Sequence, residues 1–187
     1  MTGEELRKLT LDCGATKAAI IQKDQIVLSE DFRKICEGNQ CGKYGRCWAC
    51  PPDAGDIHAL MDKVREYDAG VLYQTISAIE DSFDIEGMGE AGVRHAQLSQ
   101  KIQAGIPQED RARQLHLSCG GCRLCPTCTK PEGKPCRFPE KVLLSLEGCG
   151  IDVYNTTRST DLKYINGANT VTFFGLILYK EGASCQS

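Results

Sequence analysis

The sequence has few of the features that mark membrane proteins and nucleic-acid-binding proteins. None of its apolar runs reaches the roughly 18 residues that a membrane helix requires. The longest run covers residues 171–179. Acidic residues outnumber basic residues by 25 to 22, which gives a net charge of −3 and a pI of about 5.7. Because binding to nucleic acid needs a basic face, we predict no nucleic-acid partner and no membrane partner.

Motifs for nucleotide binding and nucleophilic catalysis are also missing. Neither the dinucleotide fingerprint nor the phosphate-binding loop occurs. No Ser/His/Asp or Cys/His arrangement stands apart from the clustered cysteines, so no catalytic residue is assigned. The chain starts with a polar, helical segment rather than a signal peptide, and we expect a reducing cytoplasm as its compartment.

What the sequence has in excess is cysteine, with 12 residues that fall mainly into two clusters. In the second cluster, every third position is a cysteine from Cys119 through Cys122 and Cys125 to Cys128, and Cys136 follows. Thiolates are metal ligands, and consecutive two-residue spacings are typical of iron–sulfur loops. A zinc site more often uses two separated pairs, and disulfide scaffolds belong to short secreted chains. The pattern therefore favours an iron–sulfur site over zinc, and metal over disulfides.

The first cluster consists of Cys36, Cys41, Cys47 and Cys50 and ends in two prolines. Its glycines and prolines predict a tight, irregular loop of the kind that holds a metal. Trp48, the only tryptophan, is predicted either to cover this metal or to pack on the core. Outside the clusters, Cys13 falls on the apolar face of a predicted helix, which indicates a core thiol.

The hydrophobic pattern predicts a single α/β or α+β domain over residues 1–187. We expect a central sheet of about four strands with flanking helices, and metal-binding loops at residues 36–52 and 119–138. Predicted strands cover residues 18–21, 26–28, 69–76, 151–154 and 170–179. The last of these is apolar on both faces and is predicted to be central. Predicted helices include residues 57–67 and 89–104.

Two further predicted helices flank the second metal loop. Residues 108–117 are predicted to deliver the chain to Cys119, which would bring His116 close enough to hydrogen-bond to a ligand of the metal. Residues 140–147 are predicted to form a helix with Pro139 in its first turn. The positive end of that helix dipole would stabilise an anionic cluster held by Cys136. His58 is predicted to be an ordinary surface histidine.

The two clusters and their flanking residues resemble a known family. The resemblance rests on Cys41-Gly-Lys-Tyr-Gly and Cys50-Pro-Pro in the first loop, and on Cys122-Arg-Leu-Cys125 and Pro-Cys136-Arg-Phe-Pro in the second. The family is a prokaryotic group of cysteine-rich proteins of unknown function, described as predicted metal-binding proteins. The resemblance implies metal binding and no settled reaction.

The resemblance also bears on the choice of ligands. The cysteines that match the family pattern are Cys36, Cys41, Cys50, Cys122, Cys125, Cys128 and Cys136. Three others, Cys47, Cys119 and Cys149, are additional to it. As the fourth ligand of the first site we choose Cys47, because it lies in the same loop, and Cys149 is the rival.

The leading hypothesis is an iron–sulfur protein that binds two 4Fe-4S clusters and transfers electrons to or from a partner redox enzyme. One cluster would use Cys36, Cys41, Cys47 and Cys50, and the other Cys122, Cys125, Cys128 and Cys136. The pairing stays open, because in two-cluster ferredoxins the last cysteine of a run ligates the other cluster. Alternatives are a zinc-stabilised binding module, a small-molecule reductase whose cluster has an open iron site, and an accessory activator of another metalloenzyme.

Overall fold

The fold is built on a five-stranded mixed sheet. The structure is a computed structural model, and it describes residues 1–181. The strands are β1 (Lys17–Gln22), β2 (Ala69–Ala78), β3 (Gln114–Ser118), β4 (Leu144–Ser145) and β5 (Thr170–Tyr179). They lie in the order β1-β2-β5-β3-β4, and all neighbours are antiparallel except β3 and β4, which are parallel. The α+β class is confirmed, and so is the central place of β5.

Helices cover both faces of this sheet. They are α1 (Gly3–Cys13), α2 (Asp31–Glu37), α3 (Ile57–Arg65), α4 (Ile85–Gly105), α5 (Gln108–Arg111) and α6 (Val153–Thr157). The side chain of Thr2 accepts a hydrogen bond from the Glu5 N–H in a capping box at the start of α1, and Asp56 caps α3. Among residues 1–181, no helix is long and apolar enough to cross a membrane.

The alternation of side chains along the strands creates two separate cores. On one face, Val71, Tyr73 and Ile177 pack with Leu6 of α1 and Ile102 of α4. The opposite face packs against α3, α6 and the segment of residues 146–151; its buried members include Leu72, Leu117, Val64, Leu146 and Ile151. Because both faces of β2 and β5 are buried, the sequences of these strands are nearly continuous apolar runs.

Two helix predictions next to the second metal loop are wrong. Residues 108–117 are helical only in α5, and the chain then extends as β3, because its Leu115 and Leu117 pair with β5 and enter the core. After Pro139 there is a single 3-10 turn, Pro139–Lys141, followed by the short strand β4. No α-helix therefore starts beside Cys136, and the predicted dipole effect on its cluster lacks its structural basis.

Two strand predictions are wrong as well. Residues 26–28 and 151–154 contribute only an isolated bridge between Leu28 and Ile151. The second segment continues as α6, because Asp152 caps it by accepting a hydrogen bond from the Asn155 N–H at 2.9 Å. The predicted strands at residues 18–21 and 69–76 and the helices at residues 57–67 and 89–104 are confirmed, with small shifts at their ends.

Candidate metal centre

The first cysteine loop begins at the end of α2 and runs to the start of α3. Cys36 lies in the last turn of α2, and two left-handed glycines, Gly42 and Gly45, turn the chain back on itself. A hydrogen bond of 2.8 Å from the Gly45 N–H to the Pro51 carbonyl closes the loop. Within it, Cys47 is buried, Cys36 and Cys50 are half-buried, and Cys41 is exposed.

The four predicted ligands of this loop lie close enough to affect one another's ionisation. The thiol of Cys50 donates a hydrogen bond to Cys47, which lowers the pKa of Cys47 to about 5. The same bond raises the pKa of Cys50, and burial and the negative charge of Cys47 add to the effect. The loop therefore favours one thiolate at Cys47, where neighbouring donors stabilise the charge.

The second loop wraps around a small interior cavity. Its wall includes all four predicted ligands of the second cluster, Cys122, Cys125, Cys128 and Cys136, with Trp48 and Phe138 beside them. The cavity measures about 20 Å³. Each of the four thiols is half-buried. Sequence spacing and the family resemblance together grouped these cysteines, and the structure brings the same four to one cavity.

The two loops meet at Cys47. The N–H of Cys122 and the thiol of Cys128 both contribute to the lowered pKa of Cys47, beside the larger effect of Cys50. A Cβ atom placed on Gly121 would lie 3.5 Å from the sulfur of Cys50. The predicted fourth ligand of the first site thus lies near both cysteine sets, whereas the sequence assigned it to one.

Side chains other than cysteine also connect the two loops. The Trp48 indole N–H of the first loop donates to the Lys134 carbonyl of the second at 3.2 Å. The ammonium group of Lys130 lies 4.2 Å from the centre of the Trp48 ring and forms an ion pair with Asp53. Of the two predictions for Trp48, the structure favours cover of the metal loops over packing on the core.

Three cysteines outside the two proposed ligand sets lie in different surroundings. Cys149, the rival ligand, is buried in one hydrophobic core, and Cys13 packs against the other, as predicted for it. Cys119 lines a separate, larger cavity and not the one lined by the four thiols. Burial raises the pKa of Cys119 and of Cys149 to about 12, and the carboxylate of Glu147 adds to this in both. These two groups stay as neutral thiols.

The two cysteine sets offer only sulfur ligands to a metal. Thiolates suit both an iron–sulfur cluster and a zinc ion, so the chemistry of the eight cysteines fits either. Within the described residues, however, no three Cys, His, Asp or Glu side chains are arranged closely enough to hold one ion. A cavity of 20 Å³ has room for about one water-sized sphere, so a four-iron cluster would require the second loop to move outward.

The histidines take no part in either loop. His58 is exposed and lies 3.4 Å from Glu30, as predicted for a surface residue. His116 is buried under α4 instead of facing the metal loop, and its Nε2 lies 2.9 Å from the Tyr73 hydroxyl. Ser99 and Ser118 continue this hydrogen-bonded group. The sequence analysis missed it, since its members come from three elements and no short motif joins them.

Comparison with known proteins agrees with the cysteine pattern. The model of a family described as "Predicted metal-binding protein (DUF2284)" matches residues 19–179, which include both cysteine loops. No curated protein and no solved structure matches the chain.

Proposed function

Since the chain belongs to this family of predicted metal-binding proteins, we propose that its two loops bind two 4Fe-4S clusters and that the protein transfers electrons. Cys36, Cys41, Cys47 and Cys50 would hold one cluster, and Cys122, Cys125, Cys128 and Cys136 the other. Such clusters supply reversible one-electron transfer when bound. The partner would be a redox protein in a reducing cytoplasm.

The observation that carries the proposal is the contact between the two loops. Because Trp48 of the first loop bonds to the Lys134 carbonyl and lies against Lys130 of the second, two metal centres built on these loops would lie side by side. Adjacent centres allow electrons to pass between them without leaving the protein.

The chain's own residues would shield the clusters and leave one of them accessible. Trp48 and Phe138 cover the second loop and limit its contact with water, which is one of the protein's means of setting the potential. Cys41 is exposed at the surface, so the first cluster would lie nearest to a docking partner. Electrons would therefore enter or leave through the first loop.

Metal and sulfide analysis after anaerobic purification tests the cofactor. We expect brown protein with about eight iron and eight acid-labile sulfide per chain. A redox titration followed by electron paramagnetic resonance should then show two interacting reduced clusters. Clusters that cannot be reduced by strong biological reductants would contradict electron transfer.

A second candidate is a zinc-stabilised binding module, and the size of the cysteine cavity favours it. A single ion needs much less space than a four-iron cluster, so the four thiols around this space of 20 Å³ would have to move less to bind zinc than to bind a cluster. The same analysis separates the two candidates: stoichiometric zinc without sulfide in the anaerobic preparation would replace the iron–sulfur proposal by this one.

A further inference from the structure

A cavity much larger than the one between the four thiols lies on the other side of the second loop. It has a volume of about 370 Å³, within the range of roughly 300–1,000 Å³ that small-molecule sites occupy. One wall is α4, and the opposite wall is the segment from Ser118 to Leu124 together with Leu143. Cys119 and Cys122 face it, so a molecule bound here would lie directly beside the metal loop.

A chain of buried hydrogen bonds ends in the wall of this cavity. It runs from the Ser118 hydroxyl to Ser99 over 2.9 Å, on to Tyr73 over 2.8 Å and to Nε2 of His116 over 2.9 Å. Nδ1 of His116 then lies 2.9 Å from Oε1 of Gln103, which is half-buried. Ser118 is 6% exposed, and Tyr73 and Ser99 are fully buried.

The proton of the hydroxyl group that joins this chain can be assigned, because a hydroxyl has only one. The Ser99 hydroxyl donates its proton to the His95 carbonyl oxygen over 3.0 Å. Its oxygen is therefore the acceptor in the bonds with Tyr73 and Ser118, so both of these hydroxyls donate to Ser99. The Ser118 oxygen therefore presents only acceptor lone pairs to the cavity.

Arg123 supplies the only formal charge among the residues that line the cavity. Its side chain lies against α4, where a Cβ atom on Gly92 would be 3.0 Å from Nη2, and Nη1 makes a long 3.4 Å bond to the Gly89 carbonyl. No carboxylate among residues 1–181 pairs with it. Most of its five N–H donors are therefore available to a ligand.

We propose that this cavity binds a small hydroxycarboxylate. Its carboxylate pairs with Arg123, its hydrocarbon part lies against Val93, Leu124 and Leu143, and its hydroxyl donates to Ser118. The guanidinium fork matches a carboxylate in geometry and charge, and the acceptor-only Ser118 selects a donor at the other end. The inference goes beyond the proposed function, and the residues that make these contacts are not among the eight proposed ligands.

The test uses 3-fluoro-4-hydroxybenzoate as the probe, followed by fluorine NMR on the full chain after anaerobic purification with its metal content recorded. We expect saturable binding with a Kd of about 1 mM or tighter. Two analogues separate the contacts: 3-fluoro-4-hydroxybenzamide lacks the charge, and 3-fluorobenzoate lacks the hydroxyl. Each should bind at least about tenfold more weakly, because each leaves a protein group without its partner.

Substitutions assign these contacts to residues. Arg123→Gln should weaken binding of the probe about tenfold or more, and this variant should bind the acid and the amide with equal affinity. Ser118→Ala should bind the probe and 3-fluorobenzoate with equal affinity. Arg94→Gln, an equal charge change on α4 at a position that does not line this cavity, should leave Kd unchanged.

Three results would overturn the inference: no binding by the wild-type protein, equal affinity for acid and amide, or an unchanged Kd in Arg123→Gln. The acid–amide comparison uses the wild-type protein, so it tests the contribution of the carboxylate even where a variant fails to fold. Probe binding by a preparation that contains zinc and no sulfide would reject the electron-transfer proposal and leave this one standing.

Discussion

At the scale of the residue, cysteines of one chemistry take different roles according to their surroundings. Cys149 lies in an apolar core, where burial keeps it protonated, whereas Cys47 lies among hydrogen-bond donors that lower its pKa. The sequence separates Cys13 from the ligands through its position on a helix face. It does not separate Cys149 from them, because that residue follows an irregular segment whose packing is set by distant strands.

The buried histidines predict how stability depends on pH. Burial lowers the pKa of His116 to about 3 and of His95 to about 4, from the usual 6.5. Below pH 6.5 the unfolded chain binds protons that the folded chain excludes, so stability should fall as the pH drops from 6.5 toward 4. Removing one histidine should reduce this slope by up to about 1.4 kcal/mol per pH unit.

Urea denaturation at several pH values measures the slope. His116→Gln should show a shallower decrease than the wild-type protein, whatever its stability at neutral pH. His58→Gln is the matched control, because the side chain of His58 is 66% exposed. An equal slope in all three proteins would show that His116 is not held neutral by the fold.

At the scale of the element, local sequence signals succeed where the chain is periodic and fail where tertiary contacts decide. Strand β5 and helix α3 have strong apolar patterns and clear boundaries, and both are predicted correctly. Residues 114–118 resemble the end of a helix in sequence. They form β3 because β5 offers an unpaired edge and an apolar face, and neither is visible locally.

The close packing of β2 on β5 depends on Gly175. A Cβ atom at this position would lie 2.1 Å from Cζ of Tyr73, whose ring crosses β5 to reach Ser99 and His116. Since these two buried groups fix that ring, Gly175→Ala should destabilise the protein by about 1–3 kcal/mol or more. Gly89→Ala in α4, where nothing lies within 4 Å, should instead stabilise it by about 0.5–1 kcal/mol.

Denaturation midpoints of the two glycine variants provide the comparison, since both add a single methyl group. Equal midpoints would mean that the Tyr73 ring can leave its place over β5 at little cost, and that the hydrogen-bonded chain leading to Ser118 is not rigid.

At the scale of the whole molecule, the two hydrophobic cores are distinct from the metal loops. Neither core contains any of the eight proposed ligands, although Cys47 is buried. The sequence predicts this division, because the cysteines lie in segments rich in Gly and Pro while the periodic segments form the sheet. It does not predict that the loops contact each other, since no residue pattern relates positions about 75 apart in the chain, such as Cys47 and Cys122.

This separation predicts a partial response to metal loss. Because β2 and β5 are held by cores without ligands, a chelator should leave their backbone amides protected from hydrogen exchange. Exchange should rise about tenfold or more in residues 36–52 and 119–138 together, because Cys47 and the Trp48–Lys130 contact link the two loops.

A single substitution tests the link between the two loops without a chelator. Cys125→Ser alters only the second loop, yet exchange should rise in both loops, since the first loop loses the partner of Cys47 and of Trp48. Cys13→Ser, the same change in a cysteine outside the loops, should affect neither. An increase limited to residues 119–138 would mean that the loops bind metal independently. An increase across β2 and β5 would mean that metal binding holds the whole fold together, as it does in zinc fingers.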